Sequence, residues 1–149
     1  MNTNIKFRKA TSSDASAISE LCKELGYLSS ETKVNVRLGN ILSLKDNEVF
    51  VAETTGYVVV GWVHIFATHR IESNSFAELG GLVVNSLYRG KGIGKNLIKV
   101  AEEWALMNGY NIVRIRSKII RERAHKLFEQ IGYGKNKTQH VFSKKLISH

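Results

Sequence analysis

At 149 residues, 43% of them hydrophobic, the chain is long enough for one self-sufficient core, and its single cysteine, Cys22, excludes an intrachain disulfide and any multi-cysteine metal site. No run approaches the roughly 18 consecutive apolar residues of a membrane span, and Met1-Asn2-Thr3-Asn4-Ile5-Lys6 lacks the apolar stretch of a signal peptide, so a soluble cytoplasmic protein with no membrane association is expected. The formal charge of +9 would suit nucleic acid, but residues 1–85 carry 8 Lys+Arg against 9 Asp+Glu while residues 86–149 carry 14 against 4, and no recognition helix or aromatic-basic sheet motif accompanies the excess.

Ile5 to Lys9 alternates apolar and charged residues and predicts a short strand. Thr11-Ser12-Ser13-Asp14 offers capping chemistry for a first helix, with Ile18, Leu21, Cys22 and Leu25 at helical spacing and Gly26 as its stop. Cys22 reads as a small buried hydrophobe on that helix rather than a reactive thiol. Ser29 or Ser30 caps a second helix whose apolar stripe is Val34, Leu38, Ile41 and Leu42. Val49 to Thr54 and Val58 to Phe66 form a β-hairpin around Thr55-Gly56-Tyr57, and Phe76 to Val84 is a further central strand, expected to be buried on both faces from Leu79 onward. Ile93, Leu97, Val100, Trp104 and Met107 mark one face of a helix ending near Asn108-Gly109. Ile112 to Ser117 is a strand, Ala124, Leu127, Phe128 and Ile131 a helix closed by Gly132, and Tyr133 to Lys145 a final pair of strands. Alternating helices and strands without a long linker predict a single α/β domain over 1–149, with a mixed central β-sheet flanked by helices on both faces.

Between the strand ending at Val84 and the helix from Ile93 lies Tyr88-Arg89-Gly90-Lys91-Gly92-Ile93-Gly94-Lys95. Glycines leave backbone N–H groups bare at a positive helix end, which is a cradle for phosphate. Two better-known phosphate loops fail on spacing: Gly94-Lys95 is followed by Asn96 rather than Ser or Thr, and the third glycine of a dinucleotide fingerprint is replaced by Lys95. Five histidines (64, 69, 125, 140 and 149) contain no His-x-x-x-His pair, so no metal is expected.

What remains, Arg89-x-x-Gly92-x-Gly94 between strand and helix, resembles the central motif of the GCN5-related N-acetyltransferase (GNAT) superfamily. Ala124-His125-Lys126-Leu127-Phe128-Glu129-Gln130-Ile131-Gly132-Tyr133 echoes that family's second motif, and the element order is similar over essentially the whole chain. The resemblance implies acetyl-CoA as cosubstrate, its pyrophosphate held by Arg89, Gly90, Lys91, Gly92, Ile93, Gly94 and Lys95. It implies a central strand that binds pantetheine as though it were another strand, through Leu82, Val83 and Val84, with the Leu82 N–H toward the thioester carbonyl. It further implies a small-molecule or peptide amine as acceptor, and it leaves a homodimer open.

An ammonium cannot attack a thioester before it loses a proton, so a proton acceptor is needed. Glu78, placed before Arg89 as in the histone acetyltransferases of the superfamily, is the candidate base; its other reading is a strand residue paired with a cation such as Arg70. Glu53, Glu24 and Glu31 are weaker candidates. Tyr27 is placed to line an acceptor pocket, His125 to cap or face solvent, and Trp62, Trp104, Phe66 and Phe76 to fill the core. The chain departs from the family at Phe128, where a tyrosine usually protonates the leaving thiolate near the coenzyme sulfur, at Lys118 in place of an asparagine, and at Ser86 in place of a proline. Phe128 keeps a second expectation open, a non-catalytic acyl-CoA sensor.

Overall fold

The computed structural model describes residues 4–27, 30–116, 122–137 and 139–147. It divides into two compact units, Met1–Arg116 and Ser117–His149. The first is an α/β unit built on five strands, β1 (Ile5–Lys9), β2 (Asn47–Thr54), β3 (Val59–Thr68), β4 (Phe76–Val84) and β5 (Val113–Ile115). They lie side by side in that order. Neighbours are antiparallel except β4 and β5, which are parallel and are joined through helix α3 (Ile93–Met107).

Helices cover both faces. Helices α1 (Ala15–Cys22) and α2 (Glu31–Leu42) bring Ala15, Ile18, Val34 and Leu38 against Val49 and Val51, with Cys22, Ile41, Leu42 and Trp62 packed on that cluster. Burial pushes the Cys22 thiol pKa up, with Arg37 opposing, as fits a packed and unreactive side chain. Ser30 caps α2, its hydroxyl accepting the Lys33 N–H at 3.2 Å; Ser29 lies outside the described residues. On the other face α3 sits so close that a Cβ on Gly61 would meet Leu97 Cδ1 at 3.1 Å and the Val83 carbonyl at 3.0 Å.

The buried residues of α3 are Ile93, Leu97, Ile98, Ala101, Trp104 and Ala105, whereas Met107 is 87% exposed. The expected stripe ending at Met107 averages 3.5 residues per turn and drifts by about 20° per heptad against a real helix. By the last turn it has rotated off the sheet.

A polar knot closes the far edge. Arg8 donates to both oxygens of Asp14 and to Glu53 Oε2, each at 2.9 Å, while the Thr11 N–H donates to Asp14 Oδ2 at 2.8 Å. Burial alone would raise the Asp14 pKa, but the Arg8 and Thr11 hydrogen bonds outweigh it and hold the carboxyl below its ordinary range. In the β2–β3 hairpin the left-handed conformation falls on Tyr57 (φ 63).

The second unit contains helix α4 (Glu122–Gln130), closed by Gly132 at φ 98 and by the Tyr133 N–H donating to Phe128 O at 2.9 Å. The strands expected between Tyr133 and Lys145 are not there: residues 133–137 and 139–145 adopt no strand. Gly134-Lys135-Asn136-Lys137 is turn chemistry, and a strand exists only with a ladder partner. None is present among the described residues of this unit. In the first unit the expected strand 112–117 is reduced to Val113–Ile115, and Ser117 and Lys118 lie outside the described residues.

Candidate active site

β4 changes character at Gly80. His64 pairs with Gly81 and Ile65 with Leu79, which leaves Gly80 unmatched as a β-bulge. On its other side β4 pairs with β5 at Ala77, Glu78 and Leu79 alone. From Gly80 to Val84 no strand adjoins that edge among the described residues. The expected burial on both faces therefore stops at Leu79: Gly80 is exposed and Leu82 and Val84 are half-buried, although Val83 is 3% exposed.

The direction of the free backbone groups follows from one hydrogen bond. Asn85 N–H donates to Val60 O on β3 at 2.8 Å. Strand groups alternate in direction, so Val83 also points to β3, and the N–H and C=O groups of Leu82 and Val84 point to the open edge. That edge can accept an extended ligand rich in amides.

Both glycines of the bulge are required by close approach. A Cβ on Gly80 would lie 2.8 Å from His64 Nδ1 and from Phe66 Cε1, and one on Gly81 would lie 2.6 Å from Trp62 Cη2. Trp62, His64 and Phe66, at alternate positions of β3, thus form an aromatic floor under the bulge on the face that carries α1 and α2. His64 Nε2 and Asn47 Oδ1 are 2.8 Å apart, and the carbonyl-type oxygen requires the nitrogen to donate. Burial holds the imidazole pKa below its ordinary value, so the ring is neutral at pH 7 with its Nδ1 lone pair toward Gly80. Trp62 and Phe66, expected in the core, are half-buried in this floor; Trp104 and Phe76 are core. The floor was legible as rings at every second residue opposite a Gly-Gly pair, but only once β3 and β4 are placed in register.

After β4, Asn85 Oδ1 accepts the Leu87 N–H at 2.9 Å and starts a 3₁₀ turn, Ser86–Tyr88. Gly90 (φ 79) and Gly92 (φ 80) then take left-handed conformations, and Gly92 is the N-cap of α3 with no side-chain cap. A Cβ on Gly90 would meet nothing within 4 Å, and one on Gly92 only Asn96 Nδ2 at 3.9 Å. The glycines are here for conformation, not for lack of room. The N–H groups of Ile93, Gly94 and Lys95 open the helix without an intrahelical acceptor, so loop and helix end present backbone donors to an anion. Lys91 Nζ lies 5.2 Å over the Tyr88 ring, and Arg89 Nη2 contacts Glu24 Oε2 at 3.3 Å.

Glu78 is buried, with its side chain 8% exposed, and Oε1 accepts from Arg116 Nε at 3.2 Å and Nη2 at 3.1 Å. Its cation is Arg116 rather than Arg70. Parallel pairing sets Arg114 opposite Glu78 and Arg116 one pleat repeat beyond, whereas Arg70, in the turn before β4, lies over the Phe76 ring and 3.7 Å from Glu72. The other acidic candidates have different partners: Glu53 is drawn to Arg8, which lowers its pKa, Glu24 ties the Ser86 N–H and Arg89, and Glu31 is exposed in the first turn of α2. Tyr27 is exposed beyond Gly26. In the second unit Phe128 and His125 are half-buried, and the Phe128 ring packs edge-on to Tyr133 with centroids 6.5 Å apart. No group of three or more metal-binding side chains occurs among the described residues, and no described helix is long and apolar enough to cross a membrane.

The model of the Acetyltransferase (GNAT) family matches residues 16–133, and the chain belongs to that family. N-acetylaspartate synthetase of Xenopus tropicalis is 37% identical over 71 residues, 48% of this chain and 26% of that protein, so the chain spans about a quarter of the length of the curated relatives it matches. Aminoglycoside N-acetyltransferase AAC(6')-Iy in complex with CoA superposes with a TM-score of 0.86 over 99% of this chain and 98% of that one, at 18% identity. The same enzyme with the bisubstrate analogue CoA-S-monomethyl-acetylneamine gives 0.85 over 95% and 99%, at 17% identity. At these identities the structures establish a shared fold.

Proposed function

We propose that the chain, as one acetyltransferase domain over 1–149, moves an acetyl group from acetyl-CoA to a primary amine of a small molecule or peptide, by direct attack in a ternary complex. The observation that carries this reading is the open edge at Leu82–Val84 leading into the uncapped, glycine-bearing start of α3. The first fits an extended amide chain and the second a pyrophosphate, so the residues present suit coenzyme A. When bound, acetyl-CoA supplies an acyl group activated as a thioester. Arg89, Gly90, Lys91, Gly92, Ile93, Gly94 and Lys95 hold its phosphates, and Leu82 and Val84 align its amides, with Val83 between them bonded to β3 and fixing their direction.

The Leu82 N–H is the donor offered to the acyl oxygen as negative charge develops there, an interaction worth about 3 kcal/mol in comparable sites. Glu78 takes the proton of the incoming ammonium, directly or through one water, by Oε2, which has no partner among the described residues. The names of the relatives support acetyl transfer to nitrogen, one speaking of aspartate and another of an aminoglycoside. A cytoplasmic location belongs to the same reading.

A second reading, an acyl-CoA sensor without turnover, is favoured by Phe128, whose ring has no proton to give a leaving thiolate. Thiol release across a panel of amines, with acetyl-CoA binding measured in parallel, separates the two. Wild type is expected to show amine-dependent release, maintained or raised in Phe128→Tyr, because a thiol of pKa about 8.5 leaves without much help. Acetyl-CoA binding without release in either protein would establish the sensor.

A further inference from the structure

We propose that Arg114 and Arg116 form a carboxylate clamp beside Glu78, so that the acceptor is an amine that also carries a carboxylate; the inference rests on the acetyltransferase reading and deepens it. Arg114 stands opposite Glu78 in the β4–β5 ladder. Arg116, two residues on and about 7 Å along the chain, projects to the same side. Both flank the point two residues before Gly80 where the β4 edge opens.

The two guanidinium groups are held in different ways, and each keeps donors to spare. Arg116 is anchored through Nε and Nη2 to one oxygen of Glu78. Its Nη1 has no partner among the described residues, and the side chain is 53% exposed. Arg114 lies with its Cζ 4.0 Å from the centroid of Phe76, a ring that is 1% exposed. Stacking uses the flat face of a guanidinium and leaves its N–H donors free in the plane. No carboxylate partners Arg114 among the described residues.

Arg116 is offset by Glu78 and Arg70 by Glu72. Among the described residues Arg114 is left without a carboxylate, a half-buried cation held over the Phe76 ring. A planar carboxylate is the shape a guanidinium fork takes in two parallel hydrogen bonds. A polyamine would instead bring like charge to it. An amine whose carboxylate engages the arginines has its nitrogen near Glu78, the group that takes its proton under the proposed function.

Calorimetry on the CoA-saturated protein tests this with matched probes: L-alanine against L-alaninamide, L-glutamate, and putrescine. The two carboxylates are expected to bind roughly tenfold to a hundredfold more tightly than the amide or the diamine. Arg114→Gln is expected to abolish that preference, with CoA affinity and melting temperature near wild type; Arg114→Lys is expected to restore part of it. In thiol-release kinetics the same variant should raise KM for the carboxylated amine far more than it lowers kcat. Equal or tighter binding of putrescine or alaninamide, no carboxylate binding, or an unchanged preference in folded Arg114→Gln would overturn the clamp. Loss of CoA binding or of all thiol release would instead strike the acetyltransferase reading, since neither depends on which acceptor is preferred.

Discussion

The first half of β4, Phe76–Leu79, and its second half, Gly80–Val84, belong to one strand and have opposite surroundings. The first is flanked by β3 on one side and meets β5 on the other from Ala77 onward, and its residues are 6% exposed or less. Among the described residues the second keeps β3 alone, begins with a bulge, and exposes Gly80. The division shows how one strand serves two needs: backbone groups satisfied by a neighbour contribute to stability, and groups left without one are available to a ligand. Substitutions in the first half should therefore register in folding, and those in the open half and its continuation in binding.

The largest effect is expected at Phe76→Ala, a fully buried ring, which should cost about 3–5 kcal/mol of stability by urea denaturation with CoA affinity of the folded fraction retained. A loss confined to CoA affinity would break the division. Next comes Glu78, at the boundary of the two halves. Glu78→Gln should slow acetylation at neutral pH by roughly a hundredfold, the deficit shrinking as pH rises and more of the amine is already neutral, with CoA affinity unchanged. A pH–rate profile parallel to wild type would make Glu78 an ion-pair partner of Arg116 and nothing more. The smallest is Gly92→Val, which forces a β-branched residue to φ 80. Strain of about 1–3 kcal/mol should appear as roughly tenfold weaker CoA binding, clearly more than Lys91→Ala produces; the reverse order in calorimetry would show that side-chain charge, and not the bare loop amides, holds the phosphates.

Local patterns in the sequence carry what is local in the fold. The bounds of β4 and α3 follow from residue spacing, and the Arg89-x-x-Gly92-x-Gly94 turn is visible because the left-handed conformation at Gly92 (φ 80) demands glycine there. What depends on register between distant segments was not legible. The bulge at Gly80 exists only in the pairing of β3 with β4, and the choice of Arg116 over Arg70 as partner of Glu78 only in the parallel pairing of β5. Met107 misled because a repeat of 3.5 looks like 3.6 over one helix. The terminal strands expected over Tyr133 to Lys145 misled because turn chemistry near Lys135-Asn136 does not by itself supply a ladder partner. Arg114 gave no signal, since a cation on an aromatic ring is a contact between elements.

An unpaired strand edge is also a hazard, because any other chain in extended form can add to it and begin an aggregate. The edge at Gly80–Val84 carries its own protection. The bulge breaks the straight ladder just where it would continue from Leu79, and two adjacent glycines make the segment a poor template for a further strand. The run of groups unpaired among the described residues is short and turns away at Asn85 into the 3₁₀ turn. The features that leave this strand open to the extended ligand of the proposed function thus also make it a poor edge for a second polypeptide.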